Sequence, residues 1–373
     1  MSSMPTVGMS FWRRFFAHFD WPLFAIMSLL AFVGLANLYS ATQGTVHHVK
    51  FDRQLLWMAV GLTAFFLVSA LDYRSLHRVA WLALIAVILA LLAVDIVGHT
   101  SKGAERWLAL GGLKIQPSEL AKIAVILALA RTVSDARCGA SPVGHIVLRA
   151  LFVCVPVVLI ALQPDLGSAL LVTLIVLSVA ALTLPGLWLL VLVGIGGLGL
   201  RLIPVLWDHL HEYQQQRWLA FLDPSADPTG AGWHTRQSIF AVGSGRVTGK
   251  GFLHATQNQF NFLPEHWTDF PFSVWAEEWG FLGSVVLVGL LWFLILWVIN
   301  VALKAKDELG GVICIGVAAM LFWHMAVNIA MVLGLAPVVG VTLPLISYGG
   351  SSLVTTFVGL GLVSSVSMRR QHF

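Results

Sequence analysis

The chain has 373 residues, of which 58% are hydrophobic and only 11% are charged, and its formal net charge is +4. Soluble domains carry about 25% charged residues, so this composition excludes a soluble globular protein and predicts an integral membrane protein. The net positive charge is small and no basic run is interleaved with aromatic residues, so the sequence gives no indication of nucleic-acid binding.

Apolar runs long enough to cross a membrane recur along the chain. A helix needs about 20 apolar residues to span the hydrocarbon core, and ten runs meet that test. They begin near Pro22, Gln54, Val79, Ser118, Ile146, Gly167, Leu187, Phe272, Gly310 and Leu345. The sequence therefore predicts an all-α polytopic membrane protein of about ten transmembrane helices, forming a single membrane domain over residues 1–373. Arg13 and Arg14 precede the first run without a small-residue cleavage site, which indicates an uncleaved first helix.

Lys and Arg in short loops set the orientation of a membrane protein. With a cytoplasmic N-terminus, the inside set is Arg13, Arg14, Arg74, Arg78, Arg131, Arg137, Arg149, Lys304, Lys306, Arg369 and Arg370. The outside set in short loops is smaller: Lys50, Arg53, Lys102, Arg106, Lys114 and Lys122. This bias predicts a multi-pass protein of the cytoplasmic (inner) membrane with both termini in the cytoplasm. The outside cations indicate a site for an anion.

The first polar motif runs from Lys102 through Arg106 and Trp107 to the start of the fourth predicted helix. Pro117 and Ser118 are residues that begin helices, so Glu119 falls in the first turn, where the helix dipole favours a carboxylate. Lys122 follows at i+3, on the same helix face. One interpretation is a local ion pair near a helix cap. The other is a polar cavity, because charges inside a membrane helix normally face a cavity or pathway.

The second motif is the tight turn Gln163-Pro164-Asp165-Leu166-Gly167 between two apolar runs. Asp165 is placed to cap the helix that follows. The alternative is that its carboxylate points into the same outer cavity as the first motif. Both interpretations stay open from the sequence.

A long loop over about residues 202–271 separates the seventh and eighth predicted helices. Loops of this length are usually functional or disordered, and its apolar residues, including Trp218, Phe221 and Trp233, favour order. The stretch from Gln214 to Phe221 is predicted to form a short interfacial helix.

The same loop contains a glycine-rich run from Gly243 to Gly251 that includes Lys250. Glycines allow backbone N–H groups to approach a phosphate, and a lysine adds charge. The run is not a Walker A motif, because Lys250 is followed by Gly251 rather than by Ser or Thr. Anion binding and simple turns are both open.

The loop ends in an acidic cluster of Glu265, Asp269, Glu277 and Glu278, at the start of the eighth helix. A carboxylate at a membrane boundary is costly and is usually functional. Asp269 is our candidate catalytic residue, whereas Glu277 and Glu278 are placed to cap the helix or to pair with loop cations.

The last helix is preceded by Leu343-Pro344-Leu345-Ile346-Ser347-Tyr348-Gly349-Gly350-Ser351-Ser352. Small residues here allow close helix packing, which is the role that we expect for the glycines. The serines are also placed to line a polar site.

In this order, these motifs resemble the SEDS family of polytopic membrane proteins over nearly the whole chain. The segments that carry the resemblance are Lys102 to Trp107, Gln116 to Lys122, Gln163 to Gly167, Asp223 to Phe270 and Ser347 to Ser351. The run Gly249-Lys250-Gly251-Phe252-Leu253-His254, with Thr256-Gln257 after it, is similar to the elongation branch of the family more than to its division branch.

The resemblance implies a peptidoglycan glycosyltransferase that polymerises lipid II on the outer face of the inner membrane during cell elongation and rod-shape maintenance. The implied donor is a glycan on undecaprenyl pyrophosphate. A class B penicillin-binding protein transpeptidase, the elongation machinery and membrane lipids are the implied partners. A divalent cation, Mg²⁺ or Mn²⁺, would stabilise the leaving pyrophosphate as Arg or Lys would, and no nucleotide cofactor is expected.

The resemblance also assigns residue roles. The family's essential loop aspartate falls on Asp269, and we expect it to be the general base for the acceptor hydroxyl. The expected substrate-binding residues are Arg106, Trp107, Glu119, Lys122, Asp165, Lys250, Gln257, Ser347 and Ser351. Two positions depart from the family pattern: Trp267 stands where His is usual, and Pro271 replaces an aliphatic residue.

A lipid II flippase or transporter is the competing hypothesis, because Glu119, Lys122 and Asp165 would suit a translocation path. Such a path needs polar groups in both halves of the bundle. The polar motifs gather on the predicted outer face instead, which favours an enzyme.

Overall fold

The computed structural model describes residues 15–43, 48–97, 99–101, 104–110, 113–137, 139, 143–183, 207, 212–223, 231–256 and 266–370. Eleven helices of eleven or more residues and three strands are assigned within these ranges. The helices are α1 (Trp21–Thr42), α2 (His48–Ala70), α3 (Tyr73–Val97), α4 (Pro117–Arg137), α5 (Val143–Leu162), α6 (Leu166–Thr183), α7 (Glu212–Leu222), α8 (Ala231–Ser244), α9 (Pro271–Leu303), α10 (Glu308–Val332) and α11 (Gly350–Arg369). The strands are β1 (His99–Ser101), β2 (Ala104–Leu110) and β3 (Leu113–Ile115).

Seven of the described helices are long and apolar enough to cross a membrane: α1, α2, α3, α6, α9, α10 and α11. The shorter apolar segment Leu148–Leu162 of α5 matches a further predicted run. The run predicted near Leu187 lies outside the described residues, so the count of ten remains a prediction. The last helix begins at Gly350 rather than near Leu345, because Leu345 has a positive φ of 63° that a helix does not accommodate.

The helix α4 lies at the centre of the bundle although it is the least apolar of the long helices. It packs against α3, α5, α6 and α10, and every residue from Ala121 to Ala130 is buried. The charges at its two ends lower its hydropathy. Its location nevertheless places Glu119 and Lys122 inside the protein rather than in lipid.

A small antiparallel sheet, in the order β1-β2-β3, connects α3 to α4. These strands depart from the predicted all-α architecture. Their hydrogen bonds satisfy backbone groups in a segment too short for another span. The sheet carries the first polar motif up to the start of α4, with β3 lying against α11.

Side-chain contacts sort the helix ends into two faces. On one, which we name the site face, the start of α4 hydrogen-bonds to the starts of α6 and α11, and the end of α1 contacts the start of α9. On the other, named the opposite face, the start of α1 contacts the ends of α9 and α11, and the start of α3 contacts the start of α10.

The segment between α6 and α9 is partly helical where it is described. The helix α7 (Glu212–Leu222) confirms the short helix predicted from Gln214 to Phe221. A second helix, α8, precedes the glycine-rich run and packs against α9. The described part of the predicted loop is therefore an ordered layer on the site face.

Candidate active site

Asp269 lies in the turn directly before α9, and its side chain is half-buried. The Asn328 amide of α10 donates to the Asp269 backbone carbonyl at 2.9 Å and to the Val341 carbonyl at 2.6 Å. Gly340 is adjacent: a Cβ added to it would lie 3.7 Å from the Asp269 Oδ2 atom. Its φ of +75° belongs to the left-handed region that favours glycine. The carboxylate therefore lies beside a backbone segment that Asn328 fixes.

The turn around Asp269 is also held by contacts of His266 and Trp267, which precede it in the chain. His266 donates from Nε2 to the Ala41 carbonyl at the end of α1, at 3.0 Å. The Trp267 carbonyl accepts a hydrogen bond of 2.8 Å from the Tyr348 N–H. The Lys50 ammonium lies 3.1 Å from the centroid of the Trp267 ring, a cation–π contact. Trp267, which stands where the family usually has His, therefore gives α2 a contact with this turn through Lys50.

Glu119 and Lys122 form the ion pair that their i+3 spacing predicts. The Lys122 Nζ atom lies 2.6 Å from Glu119 Oε1 and 2.8 Å from His324 Nε2. The Lys122 side chain is 0% exposed. It is therefore satisfied inside the protein and does not reach the surface in this conformation, and its direct contact with substrate remains a prediction.

His324 links this ion pair to the segment beside Asp269. Because the Lys122 ammonium donates to Nε2, the His324 ring proton must reside on Nδ1, and Nδ1 lies 2.9 Å from the Thr342 carbonyl. Thr342 follows Val341, the residue that Asn328 holds. The two polar side chains of α10, one turn apart, thus position consecutive carbonyls of one segment.

Asp165 caps α6, which confirms the first interpretation, and it also bonds to the start of α4, while a cavity shared with the first motif remains a prediction. Its Oδ1 accepts the Ser168 N–H at 3.3 Å, which caps α6. Its Oδ2 accepts from Gln116 Nε2 at 3.0 Å and from the Ser118 hydroxyl at 3.3 Å. The Gln116 N–H donates to Ser351 Oγ at 3.1 Å. A hydrogen-bonded chain therefore joins the starts of α6, α4 and α11.

A half-open pocket of about 340 Å³, which includes space open to solvent, adjoins Asp165. Its lining combines a carboxylate, an amide, a guanidinium and an indole with apolar residues. They are Pro164, Asp165, Leu166, Gly167, Gln214, Arg217, Trp218, Pro337 and Val339. Three of these polar residues come from α7, so the helix predicted in the loop forms one wall.

Lys250 is paired with a buried carboxylate rather than presented to a phosphate. Its ammonium forms an ion pair with Glu277 of α9, and it donates to Thr256 Oγ1 at 2.8 Å. The Thr256 N–H also donates to Glu277, at 3.0 Å. This outcome confirms that Glu277 pairs with a loop cation. Substrate binding by Lys250 remains a prediction.

The glycine-rich run packs directly on the backbone of α9. A Cβ on Gly249 would lie 2.1 Å from the Glu278 carbonyl oxygen, a distance that no side chain tolerates. The helix is interrupted at Gly280, where φ is 65° and ψ is −161°. Glu278 is buried beside this break, where its carboxylate accepts from Ser40 and from the Leu253 N–H. The run therefore forms turns that pack closely on α9, and turns are the simpler of the two interpretations.

The remaining predicted site residues lie on the strand β2, in the turn before α11, or outside the described part of the chain. Arg106 and Trp107 lie on β2, and the Trp107 side chain is half-buried. Gln257 and Glu265 lie outside the described residues. Ser347 is buried, and its hydroxyl accepts the Leu343 N–H at 2.7 Å, so it stabilises the turn before α11.

Three residues of the site, His324, Asn328 and Lys50, were not predicted from the sequence. A signal for the first two was present: they are polar residues four apart in an otherwise apolar helix, and such residues in membrane spans are usually functional or paired. Lys50 was noted only as an outside cation, because its contact with Trp267 joins residues far apart in the chain.

Comparisons with known proteins agree with this arrangement. The family model FtsW/RodA/SpoVE, described as "Cell cycle protein", matches residues 16–372. The chain is 41% identical over 364 residues to the peptidoglycan glycosyltransferase MrdB of Escherichia coli K12, covering 97% of this chain and 96% of the relative. It is 30% identical over 426 residues to the peptidoglycan glycosyltransferase RodA of Treponema pallidum, covering 94% and 98%.

Two solved structures share the fold. One belongs to a study of the structural coordination of polymerization and crosslinking by a peptidoglycan synthase complex; it has a TM-score of 0.80 and 36% identity over 95% of this chain and 99% of that chain. The other is the crystal structure of the rod-shape-determining protein RodA of Thermus thermophilus, with a TM-score of 0.70 and 34% identity over 95% and 98%. The bundle and the site face therefore have structural counterparts.

Proposed function

The chain belongs to the FtsW/RodA/SpoVE family and is a peptidoglycan glycosyltransferase, and we propose that it polymerises lipid II at the site face with Asp269 as general base. The family membership confirms the resemblance of its motifs. The observation that carries the assignment of Asp269 is its turn, which contacts from α1, α2, α10 and the segment before α11 hold in place. A base must be held in a fixed geometry to act on an approaching hydroxyl.

The proposed reaction is a glycosyl transfer. The 4-hydroxyl oxygen of the GlcNAc in the incoming lipid II attacks the anomeric carbon of the donor glycan. The bond from that carbon to the pyrophosphate oxygen breaks, and undecaprenyl pyrophosphate leaves with the electron pair. The hydroxyl proton passes to the Asp269 carboxylate. A positioned base contributes about 10²–10⁴-fold to such a step.

Cationic groups on the site face would stabilise the leaving pyrophosphate. Arg217 lines the pocket beside Asp165, and Arg106 is carried by β2 on the same side of the bundle. Trp218, 41% exposed, offers a flat apolar surface at the pocket rim on which a sugar ring can pack. Lys122 is better suited to position α4 and α10 than to touch substrate.

We also propose that a divalent cation assists. The described residues contain no group of three His, Cys, Asp or Glu side chains that would hold a resident metal. Mg²⁺ in phosphate sites is commonly held by one or two carboxylates together with the substrate's phosphates. The Asp269 carboxylate with the donor pyrophosphate fits that pattern.

The chain is a multi-pass membrane protein, and we propose that the site face is the outer face of the cytoplasmic membrane with both termini in the cytoplasm. The opposite face supports this orientation, because it carries Arg74, Arg131 and Arg149 near short connections. A class B penicillin-binding protein is the proposed partner, supported by the similarity to a chain from a peptidoglycan synthase complex.

The transporter hypothesis is disfavoured by the distribution of charge. In the described membrane helices, Asp, Glu, Lys and Arg occur only among the first or last eight residues of each helix. A path for a pyrophosphate-linked sugar would need polar groups through the middle of the bundle as well.

The test is polymerisation of purified lipid II by the purified chain, alone and with its transpeptidase partner, with glycan products separated by gel electrophoresis. We expect glycan strands in the presence of the partner. Lipid II translocation across vesicles without strand formation would instead establish the transporter.

A further inference from the structure

On the opposite face, far along the chain from the proposed catalytic residues, several basic side chains converge on one carboxylate. Asp135 near the end of α4 accepts from Arg149 of α5 at 2.6 Å, and His77 of α3 lies 3.0 Å from its other oxygen. The Arg131 Nε atom is 3.9 Å from the same carboxylate. Arg131 also donates to the backbone carbonyl of Arg78, at 3.4 Å. We name these five residues the basic cluster.

The basic cluster has more positive than negative charge. Arg131 and Arg149 face the one carboxylate of Asp135, with His77 on its other oxygen and the exposed Arg78 next to them in the fold. The buried Arg131 Nε–H has no hydrogen-bond acceptor among the described residues. Two other arginines of this face each have a carboxylate partner: Arg74 with Asp307 at 2.9 Å, and Arg369 with Asp72 at 3.7 Å.

No balancing carboxylate is available from the neighbouring connection. The connection from α4 to α5, residues 138–142, contains neither Asp nor Glu, and the same holds for residues 1–14 and 371–373. An excess of guanidinium groups at a membrane boundary is stabilised by an anion. The chemistry of the cluster, planar groups able to form bidentate hydrogen bonds, matches a phosphate.

The surface next to the cluster is apolar and faces outward from the bundle. The Arg149 guanidinium lies 5.9 Å from the centroid of the Trp81 ring, which packs on Phe152. Close to them in the chain, α3 and α5 expose large aliphatic side chains: Leu82 by 64%, Leu148 by 65% and Leu151 by 63%. A tryptophan between a charged cluster and exposed leucines is the arrangement of a membrane interface.

We propose that the basic cluster binds the headgroup phosphate of an anionic phospholipid, whose acyl chains lie along the exposed leucines of α3 and α5. A free phosphate would satisfy the charge but would leave the adjoining apolar surface unused. The proposal does not depend on the catalytic assignment. On this proposal, the arginines of this face select an anionic lipid, in addition to setting the orientation of the chain in the membrane.

The experiment is native mass spectrometry of the intact purified chain, incubated with equimolar phosphatidylglycerol and phosphatidylcholine. We expect the wild-type chain to retain phosphatidylglycerol preferentially. The double variant R131Q/R149Q should lose that preference, by about fivefold in affinity for each arginine removed. The matched control R74Q removes an arginine of the same face that is paired with Asp307, and it should behave like wild type.

The variant Asp135→Asn changes the charge of the cluster in the opposite direction from R131Q/R149Q. It removes the one carboxylate of the cluster, so it should bind phosphatidylglycerol at least as tightly as wild type, whereas a purely structural role for Asp135 predicts a loss. Melting of the wild-type chain with each lipid needs no variant at all, and stabilisation by phosphatidylglycerol over phosphatidylcholine is expected.

Several results would overturn the proposal. Equal retention of the two lipids by wild type would remove the site, and an unchanged preference in R131Q/R149Q would place the lipid elsewhere. If R74Q lost the preference for phosphatidylglycerol to the same extent, the preference would come from the general positive charge of this face and not from the basic cluster. Displacement of the lipid by inorganic phosphate would assign the cluster to a free anion.

Discussion

The Nδ2 atom of Asn328 donates two hydrogen bonds: one to the Asp269 backbone carbonyl at 2.9 Å, and one to the Val341 backbone carbonyl at 2.6 Å. One buried amide thus joins the turn of the proposed base to the segment beside its carboxylate. The two contacts connect α10, the start of α9 and the approach to α11. Asn328 is therefore a positioning residue, since it fixes the backbone on both sides of Asp269 without approaching substrate itself.

We expect Asn328→Ala to lower kcat for lipid II polymerisation by about 10²-fold with little change in KM. The physical reason is that a displacement of about 1 Å in a catalytic group is worth roughly that factor. The matched control is Asn37→Ala, which removes an equally buried amide donor, to the Pro271 carbonyl at 3.0 Å. If kcat fell equally in the two variants, Asn328 would stabilise the fold in general and would have no specific role in positioning Asp269.

Glu119 and Lys122 should act as one unit with His324. Breaking a buried ion pair by removing one partner costs about 3–5 kcal/mol, because the remaining charge is left uncompensated. A double-mutant cycle with Glu119→Gln and Lys122→Met should therefore be strongly non-additive in polymerisation rate and in melting temperature. Strictly additive losses would contradict the coupling.

The contact of Lys50 with Trp267 should stabilise the turn that carries Asp269. Lys50→Gln removes the cation–π interaction, which contributes about 0.5–2 kcal/mol, and we expect a severalfold loss of turnover that Lys50→Arg largely restores. Arg53→Gln on the same helix is the comparison. Full activity of Lys50→Gln would show that the remaining hydrogen bonds of the turn are sufficient.

Labelling of single cysteines tests the orientation of the two faces. In a variant without Cys138, Cys154 and Cys314, a cysteine at Val247, which is 59% exposed on the site face, should react with a membrane-impermeant reagent applied from outside. A cysteine at the exposed Ser75 of the opposite face should not. The reverse pattern would place the site in the cytoplasm, away from the pool of lipid II that polymerisation uses.

The membrane spans and the Glu119–Lys122 pair could be predicted because both depend on local patterns, namely apolar runs and i+3 spacing. The cap at Asp165 and the helix α7 follow from the same kind of local signal. The role of the glycine-rich run could not be resolved, because turns and anion sites use the same residues. The packing of Gly249 against Glu278 decides it only in three dimensions.

What the sequence could not provide is the set of contacts between distant segments. Asn328 lies 59 positions from Asp269, and His324 lies 202 positions from Lys122. The irregular segment before α11 looked like the start of a helix because its residues are apolar. The positive φ of Leu345 and Gly340 instead makes it a backbone scaffold beside the proposed base.

The most direct test of the central claim compares polymerisation of lipid II by the purified wild-type chain and by Asp269→Asn, each with the transpeptidase partner. Asp72→Asn, which changes a carboxylate of the opposite face, is the matched control, and size-exclusion chromatography checks folding. Our account predicts strands from wild type and from Asp72→Asn but none from a well-folded Asp269→Asn. Strand synthesis by Asp269→Asn at the wild-type rate would contradict the assignment of Asp269 as the general base.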